Sequence, residues 1–364
     1  MIQNQGDFKV KMRKKLLRYC SLCLFTAGAN FFVDSRLLKN IRTVMLFVFI
    51  ISISTTARIL WLAWERGIAL STLANITFAV SRLIVFLCLV KNRKKIERFV
   101  YQLVSIIPNE ELECILRFVY KTTAFIFVIT IILTVDSTYV RHSRGQPLVH
   151  LVWKITEDIS SAWPAMTCAI YLNVLQILFA SINQQTLNLQ RGVMNPLFRI
   201  HLIRNYTHVV LEQHATFEKL FNLMPFLWFA YAVVETPHTI LLMTRSSIMG
   251  AILLSTWITS AIVCPVAVCF LISSLKSRMI CSIDQTYELL FEGSRMNPTE
   301  VIRATRYLES IKAIEFTGLS FFTLNRSFVL SLAGTLFTVS LVWISLFSWI
   351  EEVKFIIGFR LIYW

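Results

Sequence analysis

Charge is scarce in this chain: 16% of its 364 residues are Asp, Glu, Lys or Arg, and the 21 acidic residues are well outnumbered by the 36 basic ones. Soluble globular proteins carry about 25% charged residues, so this share points away from a soluble fold. Chemical constellations are missing as well. No set of residues resembles a catalytic triad, a metal cage or a nucleotide-binding loop, so no enzymatic activity, metal or cofactor is expected. None of the eight cysteines falls in a segment expected on the extracellular side, so no extracellular disulfide framework is expected. Cys20-Ser-Leu-Cys23 has the spacing of half a zinc site but lacks the second pair of ligands that a structural site needs. Nothing at the N-terminus reads as a cleavable signal, because the patch from Leu22 to Val33 is short, broken by Gly28 and Asn30, and preceded by positive charge.

What is present is hydrophobicity, with 56% apolar residues and a mean hydropathy of +0.63. Apolar runs of about 20 residues recur, long enough to cross ~30 Å of hydrocarbon as helices. They predict seven spans: Thr43–Ala63, Leu70–Val90, Thr122–Val140, Ser161–Ser181, Leu220–Val234 with an extension toward Leu242, Gly250–Ser274 and Arg326–Ile350. Pro225 and Pro237 interrupt the fifth. The fold class is therefore an all-α polytopic membrane protein with the lipid bilayer as its first partner. The net charge of +15 would suggest nucleic acid in a soluble protein, but basic inner loops account for it here and no nucleic acid is expected.

Basic residues set the direction. They cluster before the first span (Lys9 to Arg42) and after the second (Lys91, Arg93, Lys94, Lys95, Arg98, Arg117 and Lys121). They recur after the fourth (Arg191, Arg199, Arg204, Lys219) and after the sixth (Lys276 to Arg326). The alternate loops and the tail hold only Arg66, Arg141, Arg144, Lys154, Arg245, Lys354 and Arg360, a roughly fourfold bias. The N-terminus is expected in the cytoplasm and, after an odd number of spans, the C-terminus outside. This is opposite to a G-protein-coupled receptor, and Asn195-Pro and Asn297-Pro fall in inner loops where they cannot serve as that family's last-helix motif. Three regions are expected: residues 1–42 as a cytoplasmic segment, 43–350 as the seven-helix domain, and 351–364 as an extracellular tail. Inner loops 183–219 and 276–325 show helical periodicity, as at Ile302, Tyr307, Leu308 and Ile311, and read as long cytoplasmic helical extensions of the spans or as amphipathic helices on the inner leaflet. The sequons at Asn75 and Asn205 fall in a span and inside, so no glycosylation is expected.

The final span is the most informative. Leu324-Asn325-Arg326-Ser327 leads into Gly334-Thr335, then Thr338-Val339, five residues to Ile344, and Ser345-Leu346. With the inner N-terminus, short outer loops and large inner helical loops, this chain resembles an insect gustatory or odorant receptor. Its last helix is similar to that of gustatory receptors, which carry Leu-(Asp/Asn)-Arg-Ser, Gly-Thr, then Thr-Tyr, five apolar residues and Gln-Phe. Thr338 matches in an ungapped register, while Val339 replaces the Tyr, Ser345 the Gln and Leu346 the Phe. The resemblance implies a chemosensory receptor subunit of the plasma membrane, a homo- or hetero-tetrameric ligand-gated cation channel whose seventh helix lines the pore. It also implies a small-molecule ligand, apolar or bitter-like, held among the outer halves of helices two to six. Gln at a pore constriction offers an amide to a passing ion, whereas Ser345 offers only a hydroxyl. A non-conducting or auxiliary subunit is the alternative; a transporter would call for internal repeats, and none is evident.

Candidate residues follow from these readings. Thr335, Thr338 and Ser345, with Leu346, mark a mildly polar stripe that either lines a pore or bonds back to its own helix. Tyr139, Trp163, Trp228, Tyr231 and Trp257 map to the outer half, as walls of a ligand pocket or as an interfacial belt. Asp136, Glu157, Asp158 and Glu235 form an outer acidic cluster, able to attract cations or to pair with Arg58, Arg141 or Arg144. Arg82, inside the second span, is either functional or snorkelling inward. His238 is expected to meet water.

Overall fold

The computed structural model describes residues 70–122, 163–193, 199–244, 248–292 and 297–362, together with the single positions 57, 61, 124 and 128. α1 (Leu70–Ile106) contains neither Pro nor Gly and stops where Pro108 disfavours helical geometry in the residue before it. The Pro108 carbonyl accepts the N–H of Leu112 at 3.0 Å and so starts α2 (109–122). The two pack through Leu103, Ile107, Leu112 and Val119, all fully buried.

α3 (Trp163–Val193) places Pro164 in its first turn, where the missing N–H costs nothing. It is the central post: 89% of its apolar window is buried, and α1, α4 and α6 all lean on it. α4 (Arg199–Phe221) and α5 (Leu223–Thr244) are almost continuous, bent by 41° at Asn222. Pro225 explains the break, since it has no N–H to return to the Phe221 carbonyl. Pro237 does not: α5 runs through it to Thr244, which corrects the expectation that this proline interrupts the fifth span.

α6 (Ile248–Glu292) has 45 residues, about 68 Å of helix, and must project well beyond a bilayer core of about 30 Å. α7 (Pro298–Lys312) is short and polar. Asn297 caps it, accepting the N–H of Thr299 at 3.3 Å. Its buried face is Ala304, Leu308 and Ile311, while Ile302 is 54% exposed. A two-stranded antiparallel hairpin follows, β1 (Thr317–Gly318) and β2 (Phe322–Thr323), which the helical periodicity of 276–325 does not anticipate. α8 (Arg326–Ile362) closes the chain, so residues 351–362 of the expected tail are helical. Asn325 caps α8 by accepting the N–H of Phe328 at 2.8 Å, which gives Leu324-Asn325-Arg326-Ser327 a physical role as a helix start.

The C-terminal ends of α3 and α6, together with α4 and α7, form a helical bundle held by polar links. Thr186 meets Tyr206 at 2.6 Å, and Gln190 donates to the Ser282 carbonyl at 3.1 Å. Lys312 pairs with Asp284 at 2.7 Å and lies 4.6 Å from the centre of the Tyr287 ring. The hydrogen bond to Asp284 raises the Lys312 pKa above its ordinary value.

Among the described residues three helices are long and apolar enough to cross a membrane, or four if the bent α4–α5 pair counts as one span. They overlap the expected fourth, fifth, sixth and seventh spans, the sixth only over residues 265–274. The second corresponds to the shorter apolar stretch Ile76–Leu89 of α1. Except for Ala57, Trp61, Thr122, Ala124 and Val128, the first and third spans lie outside the described residues.

Candidate functional site

α8 is apolar yet poorly covered. Only 17% of the window Arg326–Leu346 is buried, and its large side chains Leu330, Phe337 and Val342 are at least 61% exposed. Its packed face is narrow: Phe328, Leu332, Leu336 and Ser340 repeat every fourth residue against α5 and α6. At about 100° per residue, Ser327, Ser331, Thr338 and Ser345 fall within about 40° of one another, far round the helix from that face. All four are exposed. Bulky Leu330, Phe337 and Leu341 occupy a third face.

The hydroxyls of the stripe bond back to their own helix. Thr338 donates to the Gly334 carbonyl at 2.9 Å and Ser331 to the Ser327 carbonyl at 3.4 Å; beside the stripe, Thr335 donates to the Ser331 carbonyl at 2.8 Å. Back-bonding and a water-facing role are therefore compatible. The donated proton points inward along the helix, and the oxygen keeps its acceptor lone pairs for water or a cation. Thr335 sits off the stripe and, with Ser327 and Ser331, lines a groove of about 570 Å³ between α5, the hairpin and α8, lined also by Phe226, Phe229, Phe322 and Phe328. Leu346 turns about 100° away from Ser345 and is 43% exposed. Ser327 and Ser331, which belong to the stripe, escaped the sequence reading, although spacings of four, seven and seven residues to Thr338 and Ser345 carry the signal.

A second constellation joins α1, α3 and α5. Trp163 of α3, Tyr231 of α5 and Phe78 of α1 form a triangle with centroid separations of 5.8, 5.8 and 6.3 Å. Trp163 and Tyr231 are buried. The Trp163 indole nitrogen has no hydrogen-bond partner among the described residues, nor do the hydroxyl of Thr236 and Nδ1 of His238. A buried N–H without a partner is costly, so the unspent Trp163 donor in this packed aromatic cluster makes it a candidate contact for a small molecule bearing an acceptor. Trp228 is different. Its indole donates to Thr167 at 2.8 Å and its ring packs on Tyr171 at 5.5 Å, so its polar atom is already committed. Phe78 was missed because a lone Phe in an apolar run has no distinguishing signal.

Glu235 keeps local company, accepting from Thr239 at 3.1 Å with His238 Nδ1 3.8 Å away. His238 is only 13% exposed at its side chain. Arg82 lies 5.7 Å from the centre of the Phe78 ring. Tyr139, Asp136, Glu157 and Asp158, and the side chain of Trp257 on α6, lie outside the described residues.

No family profile matches this sequence, and no curated protein does. The fold, however, is shared with solved structures. The insect olfactory receptor OR5 from Machilis hrabei superposes with a TM-score of 0.71 at 11% identity, over 92% of this chain and 98% of that one. The same receptor in complex with eugenol gives 0.67 at 10% identity, over 93% and 99%. The chain thus has the fold of an insect olfactory receptor over nearly its whole length. At this identity the likeness establishes architecture alone.

Proposed function

We propose that this protein is a chemosensory receptor subunit of the plasma membrane, a ligand-gated cation channel that assembles as a tetramer with copies of itself or with related subunits. The observation that carries the reading is the combination of the olfactory-receptor fold with an apolar last helix that is largely uncovered within one chain. Such a helix needs neighbours beyond its own fold. A hydroxyl stripe on one face and bulky apolar side chains on another fit a helix that meets ions on one side and lipid or a second copy on the other. In this reading Thr338 and Ser345 face the pore, with Leu346 beside its narrow part and Ser327, Ser331 and Thr335 at the groove. The ligand enters the chamber of Phe78, Trp163 and Tyr231, with Trp228 behind it and Tyr139 and Trp257 as further walls. Asp136, Glu157, Asp158 and Glu235 contribute an outer acidic cluster that draws cations. The gustatory type rests on the last-helix motif, and the seven spans with an inner N-terminus and outer C-terminus rest on the charge bias.

A second reading is favoured by one specific feature: Val339, Ser345 and Leu346 stand where the gustatory motif has Tyr, Gln and Phe. It describes a non-conducting subunit that modulates a partner. Expression in oocytes with a panel of small apolar ligands, eugenol among them, separates the two. A ligand-dependent cation current from this chain alone supports the channel. Silence with surface expression verified, together with altered currents when a second receptor is co-expressed, supports the auxiliary subunit.

A further inference from the structure

The segment between α7 and α8 is laid along α4 by three contacts whose spacing suits both partners. His214 Nε2 lies 2.9 Å from the Glu315 carbonyl, which can only accept, so this nitrogen carries the proton. Glu218 receives both donors of Thr317, the backbone N–H on Oε1 at 3.2 Å and the hydroxyl on Oε2 at 2.7 Å. The Asn222 carbonyl accepts the N–H of Leu319 at 3.1 Å. The rungs advance by four residues on the helix and by two on the extended strand. Four helical residues rise about 6.0 Å and two strand residues about 6.6 Å, so the three rungs stay in register.

Phe316 fills the space between the first two rungs. It is buried, with its ring centre 4.9 Å from His214 and 5.6 Å from both Phe179 and Phe217. Beyond the last rung the chain has little slack before the capped start of α8. Leu319 and Ser320 hold positive φ, Phe321 closes the turn on the Gly318 carbonyl at 3.0 Å, and Phe322 stacks on Phe328 at 4.3 Å. The third rung falls on Asn222, the residue at which α4 bends by 41° into α5.

We propose that Glu218, flanked by His214 and Asn222, is a positioning residue that ties the start of the last helix to the α4–α5 bend, so that movement of α5 at the bend is handed to α8 through the hairpin. The consequence for opening rests on the receptor reading given above; the clamp itself does not. Glu218 is the central element because it alone holds two donors of one residue, and a carboxylate does this more strongly than a neutral acceptor. α5 carries Tyr231 of the proposed ligand site and α8 carries the hydroxyl stripe, so the clamp adds a link at the bend to the direct packing of α8 on α5.

Two measurements on the full chain test this. In nanodiscs, hydrogen exchange across 315–325 should rise roughly tenfold in Glu218→Ala, less in Glu218→Gln, which retains one acceptor. Thr317→Val should add nothing to Glu218→Ala. Unchanged exchange in Glu218→Ala, or effects that simply multiply in the double variant, overturns the clamp. In oocytes, with eugenol as the probe, Glu218→Ala should lower the maximal current several-fold at equal surface expression while leaving eugenol binding unchanged, and Glu218→Gln should recover part of it. A maximum that falls only in step with binding, or a current that does not change, overturns the coupling. A wild-type chain silent to eugenol counts against the receptor reading, and the exchange cycle then decides the inference by itself.

Discussion

The indole N–H of Trp228 on α5 donates to the hydroxyl of Thr167 on α3 at 2.8 Å, and the same hydroxyl lies 2.8 Å from the Trp163 carbonyl, to which it donates. One threonine therefore joins the two tryptophans that flank the proposed ligand chamber. It also divides their roles, since it occupies the polar atom of Trp228 and leaves that of Trp163 unspent. Thr167→Val keeps the shape but strands the Trp228 N–H in a buried site. The expected cost is about 1–3 kcal/mol, read as a lower Tm of the detergent-solubilised protein. Adding Trp228→Phe should recover part of the loss, because no donor is then left without a partner.

Trp163→Phe should act in the opposite sense. Removing a buried N–H with no partner among the described residues should leave thermal stability unchanged or raised. If that N–H is reserved for a ligand acceptor, the concentration for half-maximal response to an acceptor-bearing ligand such as eugenol should rise about tenfold, the scale of one buried hydrogen bond. An unchanged dose–response curve in Trp163→Phe would remove Trp163 from the site.

The helices were legible because hydrophobicity in a bilayer is nearly a one-variable problem: runs such as 161–181 and 326–350 must span or be buried. Their polar continuations were legible in outline, as helical periodicity in polar surroundings. The hairpin was not. Its strands are two residues each, too short for alternation to register, and its order comes from α4 through Glu218 and Asn222, far away in sequence. The available signal was Gly318. The aromatic chamber was half legible, because Trp163 and Tyr231 stand out by residue type, whereas Phe78 is recognised only when α1 is placed beside α3 and α5.

Gly318 is required by a close approach. A Cβ built there would lie 2.4 and 2.6 Å from two atoms of the Phe322 ring. Gly318→Ala should therefore cost about 1–3 kcal/mol through overpacking and raise hydrogen exchange across the hairpin. Pairing it with Phe322→Leu should relieve much of that cost. A fully stable single alanine variant would show that the ring moves aside freely.

Glu111 on α2 borders a small polar cavity of about 130 Å³ shared with Gln176, Asn183 and Arg278. Burial raises its pKa above the ordinary 4.5. Its ionised form is thus better accommodated in the unfolded chain, so ionisation detracts from stability above the folded pKa. That penalty fades as pH falls and is gone below the unfolded value. Glu111→Gln should accordingly be more heat-stable than the parent at neutral pH, with the margin shrinking toward about pH 4. A lower Tm for the amide at neutral pH would mean that Arg278 offsets the burial of the carboxylate.

Thr338 gives the most direct test of which face of α8 meets water. Its hydroxyl is exposed and its proton is spent on the Gly334 carbonyl, so the group can act outward only as an acceptor. In a pore this favours cations, and Thr338→Val should reduce single-channel conductance several-fold without changing surface expression. Thr338→Cys and Ser345→Cys should react from the aqueous side with a charged methanethiosulfonate and block the current. Phe337→Cys, about 100° round the helix, should react slowly, although Phe337 is 67% exposed in the single chain. The comparison separates water from lipid, because exposure within one subunit does not distinguish them and reaction with a charged reagent does. Fast reaction at Phe337→Cys with protection at Thr338→Cys would place the bulky face on the axis and turn the hydroxyl stripe toward protein.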